Sequence, residues 1–138
     1  MKRQNKTATT ESRRIAMTCA KVCDEKKGED VAILDVHKLT FITDFFVLCT
    51  ARNERQSKAI ADEIEIVLKE KGIRKLGSDG FSSANWVLRD FGDVVVHIFT
   101  PELRQFYSIE MLWGDAKSVR WQFKTNRNGR KTTVKKSK

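Results

Sequence analysis

Two β-type runs separated by only two residues place the strongest constraint on how this chain can fold. The runs at 85–90 and 93–99 are rich in β-branched and aromatic residues, and Phe91 and Gly92 lie between them. A connection this short allows little except an antiparallel hairpin. The chain must therefore contain a sheet, and the remaining sequence has to supply further strands and a cover for their apolar side chains.

The segments before the hairpin predict a first helix and two more strands. Apolar residues recur at helical spacing across 10–27, and Gly28 follows as a C-terminal stop signal. Short apolar runs at 31–36 and 45–50 are bounded by polar segments, which is typical of strands that are buried on much of both faces. These elements bring the number of predicted strands to four, and they supply one helix that can cover the apolar side chains of the sheet.

Two further helices are predicted from their capping residues. Asn53 is a good N-cap with Gln56 three residues later, and Gly72 closes the helix that follows. Thr100 caps a short helix that has Pro101 at its first position, where the missing N–H costs nothing. The order α-β-β-α-β-β-α predicts an α/β protein, with a mixed sheet of four or five strands and helices mainly on one face.

The basic charge of the chain is concentrated at its ends. The formal net charge is +9, yet residues 117–138 carry nine bases and no acid, and residues 15–116 are net −4. We therefore divide the chain into a basic flexible arm at 1–9, a compact domain at 10–116 and a basic, disordered tail at 117–138. Such ends are typical of a protein that works near a polyanion, and solubilising extensions are the alternative.

The cysteines and the hydropathy indicate a soluble protein of a reducing compartment with no membrane partner. Three cysteines form no framework of disulfide spacings, which favours a reducing compartment. No apolar run approaches the roughly 18–20 residues that cross a bilayer, and the first residues do not resemble a signal peptide. Cys19 and Cys23 lie one helical turn apart, and without further ligands nearby they are small core residues rather than a metal site.

No group of residues in the sequence demands catalysis, a metal or a cofactor. The Gly-rich loop at 77–80 lacks the Lys-Ser/Thr pair and the helix of a phosphate-binding loop. His37 and His97 have no metal-ligand spacing, and His97 in an apolar strand is typical of a core or interface histidine. Asp90 and Asp93 bracket the hairpin, where turn chemistry explains them better than a pair of catalytic carboxylates.

A concentration of aromatic residues predicts a partner-binding surface near the hairpin and the short helix. Six aromatic residues fall within the 28 residues from Trp86 to Trp113, interleaved with charged side chains. Aromatic residues and Arg dominate the energetics of protein–protein interfaces. If helices cover only one face of the sheet, the other face needs a partner or a second copy of the chain. The predicted partner-binding residues are Trp86, Arg89, His97, Arg104, Tyr107 and Glu110.

Three segments of the sequence resemble one family. They are ITDFFVLCTARNERQSKAIADEI at 42–64, NWVLRDFGDVVVHIF at 85–99 and PELRQFYSIEMLWGDA at 101–116. Their residues, order and spacing are similar to the ribosomal silencing factor family, RsfS, also called Iojap. The resemblance runs from about Val31 to Ala116. The basic tail is not part of it.

The resemblance implies a fold, an activity and a partner. It implies a nucleotidyltransferase-like architecture without the enzyme's activity, and a factor that binds the large ribosomal subunit through its fourteenth ribosomal protein. Bound there, the factor would block subunit joining and repress translation under nutrient limitation, in the bacterial cytoplasm. A homodimer of the free protein is compatible with this interpretation. The alternative is a nucleotidyltransferase-like or RNA-modifying enzyme that uses Asp90, Asp93 and Asp44 with Mg²⁺.

Overall fold

The structure, a computed structural model, describes residues 10–76, 85–107, 114–125 and 131–133. Three predicted features lie outside these ranges: the arm at 1–9, the loop at 77–80 and Glu110. None of the helices within the described ranges combines the length and the apolarity that a bilayer crossing requires.

Five strands form one mixed sheet, in the order β3-β4-β2-β1-β5. Strands β2 and β4 are parallel neighbours, and every other pair in this sheet is antiparallel. The predicted hairpin is confirmed as β3 and β4. Because the sheet contains both parallel and antiparallel pairs, the expected mixed α/β sheet is confirmed as well. The helices are α1 (Thr10–Glu25), α2 (Glu54–Glu70) and α3 (Pro101–Tyr107). The strands are β1 (Glu29–Asp35), β2 (Phe45–Thr50), β3 (Trp86–Asp90), β4 (Val94–Phe99), β5 (Lys117–Ser118), and a separate pair, β6 (Phe123–Thr125) and β7 (Lys131–Thr133).

The two faces of the sheet are covered differently. Helices α1 and α2 pack on one face, where side chains such as Cys19, Ile60 and Ile64 meet the inward residues of the strands in the main core. The opposite face carries a smaller apolar cluster that includes Leu48, together with Leu103 from α3. Because neighbouring residues of a strand point to opposite faces, each central strand contributes to both clusters.

The predicted cap of α2 is confirmed, and it also joins two helices. The Asn53 side chain accepts a hydrogen bond from the Gln56 N–H at 2.8 Å, and the Gln56 side-chain oxygen accepts one from the Arg52 N–H at 2.7 Å. The Gln56 side-chain amide donates to the carbonyls of Lys26 and Lys27, both at 3.0 Å. These carbonyls follow the last turn of α1, so one glutamine ties the beginning of α2 to the end of α1.

The packed core extends past the predicted domain boundary at residue 116. Strand β5 adds residues 117 and 118 to the edge of the sheet beside β1. The Val119 N–H donates to the Ile33 carbonyl at 2.9 Å, and the side chains of Val119 and Trp121 are buried in the main core. Val119, Trp121 and Phe123 alternate with polar residues, so a short period-2 signal within this basic segment could have indicated the extension.

The three cysteines lie in the core as free thiols. Burial raises the pKa of Cys19 to about 12. A hydrogen bond with Cys49 and burial both raise the pKa of Cys23 well above its usual value. A thiol with a raised pKa contributes little thiolate near neutral pH, so these groups behave as small apolar residues, as predicted.

Gly28 lies so close to this cysteine cluster that no larger residue fits. A Cβ atom added at Gly28 would clash with the Cys49 Sγ and would lie 2.9 Å from the Cys23 carbonyl oxygen. We therefore expect Gly28→Ala to lower the free energy of unfolding by roughly 1–3 kcal/mol, the usual cost of overpacking a core. Chemical denaturation of both proteins measures the difference.

The variant Cys49→Ala provides the matched background for this test. It removes the nearer of the two atoms, so Gly28→Ala should cost less in that background than in the wild type. An equal cost in both backgrounds would show that the Sγ contact is not the cause.

Candidate functional site

Four rings lie together on the face of the sheet that α1 and α2 leave uncovered. We call this surface the aromatic face, and it consists of Phe46, Trp86, His97 and Phe99. The His97 ring meets Phe46 edge-on with ring centroids 5.0 Å apart, and it stacks on Phe99 with centroids 5.9 Å apart. Trp86 contacts both His97 and Phe99. Phe46 and Trp86 remain partly exposed, whereas His97 and Phe99 are buried.

A hydrogen bond between Trp86 and His97 orients the two rings. The Trp86 indole N–H donates to the His97 Nδ1 at 3.3 Å. An indole nitrogen can only donate, so Nδ1 must accept, and the proton of the neutral imidazole lies on Nε2. Burial lowers the pKa of His97 to about 4, and protonation of Nδ1 would also break the bond from Trp86. His97 is therefore neutral at physiological pH.

Arg104 joins the aromatic face from α3. Its Nη1 donates to the Thr50 hydroxyl oxygen at 2.9 Å, which holds α3 against the end of β2. Thr50 lies on the same side of β2 as Phe46, because the two residues are an even number of positions apart. The structure thus brings together Trp86, His97 and Arg104, three of the six predicted partner-binding residues.

Arg89 lies on the opposite face of the sheet from these residues. It is three positions from Trp86 in β3, and an odd spacing in a strand reverses the face. The Arg89 guanidinium forms an ion pair with Glu65 of α2, to which Lys75 also pairs at 3.3 Å. The structure therefore separates Arg89 from the aromatic face and gives it a structural contact. Of the other two predicted residues, Tyr107 ends α3, and Glu110 lies outside the described residues.

Two of the three carboxylates of the alternative enzyme hypothesis, Asp90 and Asp44, have structural hydrogen bonds. Asp90 Oδ1 accepts from the Gly92 N–H at 2.8 Å, which confirms the turn role predicted for Asp90. Asp44 is buried, and its Oδ2 accepts from the Ser12 hydroxyl at 3.0 Å. Within the described ranges, no three His, Cys, Asp or Glu side chains are placed to hold a metal ion. Asp44 and Asp90 therefore both have structural hydrogen bonds that account for their positions.

Two parts of this region were not predicted from the sequence. Phe46 belongs to the aromatic face, although its position in β2 places it far from the other aromatic residues along the chain. An open pocket of about 400 Å³ lies beside the face, where β4 leads into α3. Alternation along β2 could have placed Phe46 opposite the helices, but no sequence signal indicates the pocket, because it forms only when the start of β3 meets the start of α3.

Comparisons with known proteins identify the family. A family model described as "Ribosomal silencing factor during starvation" matches residues 9–138. The ribosomal silencing factor RsfS of Bacillus subtilis is 42% identical over 102 residues, which is 74% of this chain and 86% of the relative. The chloroplastic protein Iojap of Zea mays is 38% identical over 112 residues, which is 81% of this chain and 49% of the relative. A crystal structure of a protein from Chromobacterium violaceum superposes with a TM-score of 0.70 at 40% identity, covering 74% of this chain and 85% of that one.

The fold and these matches define an α/β protein related to regulators of translation. The chain belongs to the ribosomal silencing factor family, RsfS. This confirms the family that the three sequence segments indicated. The family model also extends across the basic tail, which the resemblance between those segments did not include.

The lowered pKa of His97 predicts how stability depends on pH. Because the folded pKa of about 4 lies below the usual value of 6.5, the unfolded chain binds the proton more readily. Stability from this group is complete above about pH 6.5 and falls as the pH drops towards 4, by about 3 kcal/mol in total. The variant His97→Gln should lose this part of the pH dependence. Denaturation at several pH values between 7 and 4.5 measures both slopes, and identical slopes would contradict the assignment.

Proposed function

We propose that this protein binds the large ribosomal subunit through its fourteenth ribosomal protein and sterically blocks subunit joining. It would thereby repress translation under nutrient limitation. Membership of the ribosomal silencing factor family supports the general role, and the relatives carry names that describe regulators rather than enzymes. The observation that carries the proposal is the partly exposed aromatic face, which offers Trp86 and Phe46 beside the cationic Arg104.

The geometry of the aromatic face suits a protein partner. Trp86 is oriented by its hydrogen bond to His97 and by its contact with Phe99, so little side-chain entropy remains to be lost on binding. Oriented Trp and Arg side chains near the centre of an interface are the usual hot spots. A partner that covers the face would complete the burial of both partly exposed rings.

The charge distribution supports a basic partner and a nearby polyanion. Residues 15–116 are net −4, and this charge would attract a basic ribosomal protein and raise the association rate. The nine bases of residues 117–138 would lie near ribosomal RNA, where they add affinity by displacing counterions. Both contributions should weaken as the salt concentration rises.

Two further features belong to this proposal. The protein would act in the bacterial cytoplasm, where ribosomes form from their subunits. The free protein would form a homodimer through the aromatic face, because a second copy can cover the same partly exposed rings. Ribosome binding and dimerisation would then compete for one surface.

The steric mechanism predicts binding without consumption of nucleotide. The protein should co-sediment with isolated, salt-washed large subunits, and it should reduce the yield of joined ribosomes when small subunits are added. Sucrose-gradient sedimentation in the presence and in the absence of ATP with Mg²⁺ measures both effects. Binding to small subunits instead, or a requirement for ATP hydrolysis, would contradict the mechanism.

Replacing Trp86 should remove an anchor of the interface. We expect Trp86→Ala to weaken binding to the large subunit by roughly 30-fold or more, which corresponds to about 2 kcal/mol. Thermal melting must accompany the affinity measurement, because Trp86 also packs on Phe99. If the melting temperature falls so far that unfolding of the variant explains the lost binding, Trp86 is a packing residue rather than an anchor of the interface.

Arg89→Ala is the matched control for this experiment. It breaks the ion pair with Glu65 on the covered face, so it should lower stability while leaving the affinity of the folded protein unchanged. Equal losses of affinity in the two variants would contradict the assignment of the interface to the aromatic face.

A further inference from the structure

The open pocket beside the aromatic face has a distinctive lining. Among the described residues it is lined by Asn85, Thr100, Glu102 and Leu103, and its volume of about 400 Å³ falls in the range of small ligand sites. The Thr100 N–H donates to the Asn85 carbonyl at 3.0 Å, so the residues that precede β3 and α3 are joined at the pocket wall. Leu103 packs in the apolar cluster beneath the aromatic face. The pocket therefore has a fixed frame and one apolar wall.

The polar groups of the pocket select for a positively charged guest. Glu102 is exposed and contributes a carboxylate, which accepts hydrogen bonds and repels anions. Thr100 is only 8% exposed, and its buried hydroxyl makes no hydrogen bond within the described part of the chain. A buried hydroxyl without a partner is costly, and its oxygen would accept a hydrogen bond from a guest that reached it. Arg104, the basic residue of α3, already donates a hydrogen bond to Thr50.

We propose that this pocket receives one Lys or Arg side chain from a basic protein partner. The aliphatic stem of the guest would lie along Leu103, and its charged head would reach the Glu102 carboxylate and the Thr100 hydroxyl. The pocket adjoins Trp86 through Asn85, so it continues the proposed interface. The inference rests on the proposed function for the identity of the partner, and it adds the chemistry of one specific contact.

A titration with a small arginine compound tests the pocket without ribosomes. The probe is Nα-acetyl-arginine-N-methylamide, and its neutral analogue of the same shape is Nα-acetyl-citrulline-N-methylamide. We expect the arginine probe to shift the backbone amide NMR signals of Thr100 and Leu103 in the full chain at millimolar concentration. The citrulline analogue should bind at least about 10-fold more weakly, because it lacks the charge. Absence of shifts, or equal binding of the two compounds, would overturn the proposal.

Variants of the pocket test the same contact on the ribosome. Glu102→Gln keeps the shape and removes the charge, so it should weaken binding to isolated large subunits by about 10-fold or more. Thr100→Val removes the hydroxyl with little change of volume, and it should weaken binding by about fivefold without lowering the melting temperature. Glu70→Gln removes an exposed acid at the end of α2 and should change neither quantity.

The outcomes separate this inference from the proposed function. If the wild-type chain fails to bind large subunits, the proposed function is wrong, and the arginine titration still decides the chemistry of the pocket. If the wild type binds and Glu102→Gln binds equally well, the pocket inference is wrong and the proposed function stands. If Glu102→Gln and Glu70→Gln weaken binding to the same extent, the effect is one of net charge, and the specific contact is overturned.

Discussion

The parallel pairing of β2 with β4 is the interaction on which the rest of the structure depends. Six consecutive residue pairs align, from Phe45 with Val94 to Thr50 with Phe99. Parallel neighbours cannot be joined by a tight turn, so the chain between them has to cross over, and α2 makes most of that crossing. The crossover covers one face of the pair, and β3 returns beside β4 to extend the sheet. All six residues of β4 are buried as a consequence.

The same pairing explains why a polar residue lies in the middle of an apolar strand. His97 alternates with Val96 and Ile98, so it faces away from the helices while its neighbours fill the main core. Its ring is the central element of the aromatic face, where it contacts Phe46 from β2 and accepts a hydrogen bond from Trp86 of β3. A leucine there would pack but would leave the indole N–H without its acceptor. The polar residue thus orients the proposed binding surface.

Much of the architecture could be predicted from the sequence, because local signals agree with the fold. The two-residue hairpin connection, the Asn53 cap and the apolar runs each specify an element through its own residues. The functional surface is harder to predict, because proximity along the chain does not show which face of the sheet a side chain occupies. Strand alternation supplies that information and separates Arg89 from Trp86.

The remaining differences come from contacts that the sequence does not display. Strand β5 has two residues, which is too short for any periodicity, and Trp121 lies in a basic segment where apolar and polar residues alternate over only five positions, 119–123. Strand β5 is paired, and Trp121 is buried, only because the chain returns to the free edge of β1. The pocket likewise depends on a meeting of Asn85 with Thr100, which are 15 positions apart in the sequence. Such features follow from tertiary packing rather than from local propensity.

Site-specific crosslinking from the aromatic face would test the central claim most directly. The photoreactive amino acid p-benzoylphenylalanine can replace Phe46, where it preserves an aromatic ring, and it can replace the exposed Ile66 of α2 on the other side of the molecule as a control. With large ribosomal subunits, we predict a crosslink from position 46 to the fourteenth ribosomal protein and none to that protein from position 66. A crosslink to it from position 66 alone would contradict the assignment of the aromatic face as the ribosome-binding surface.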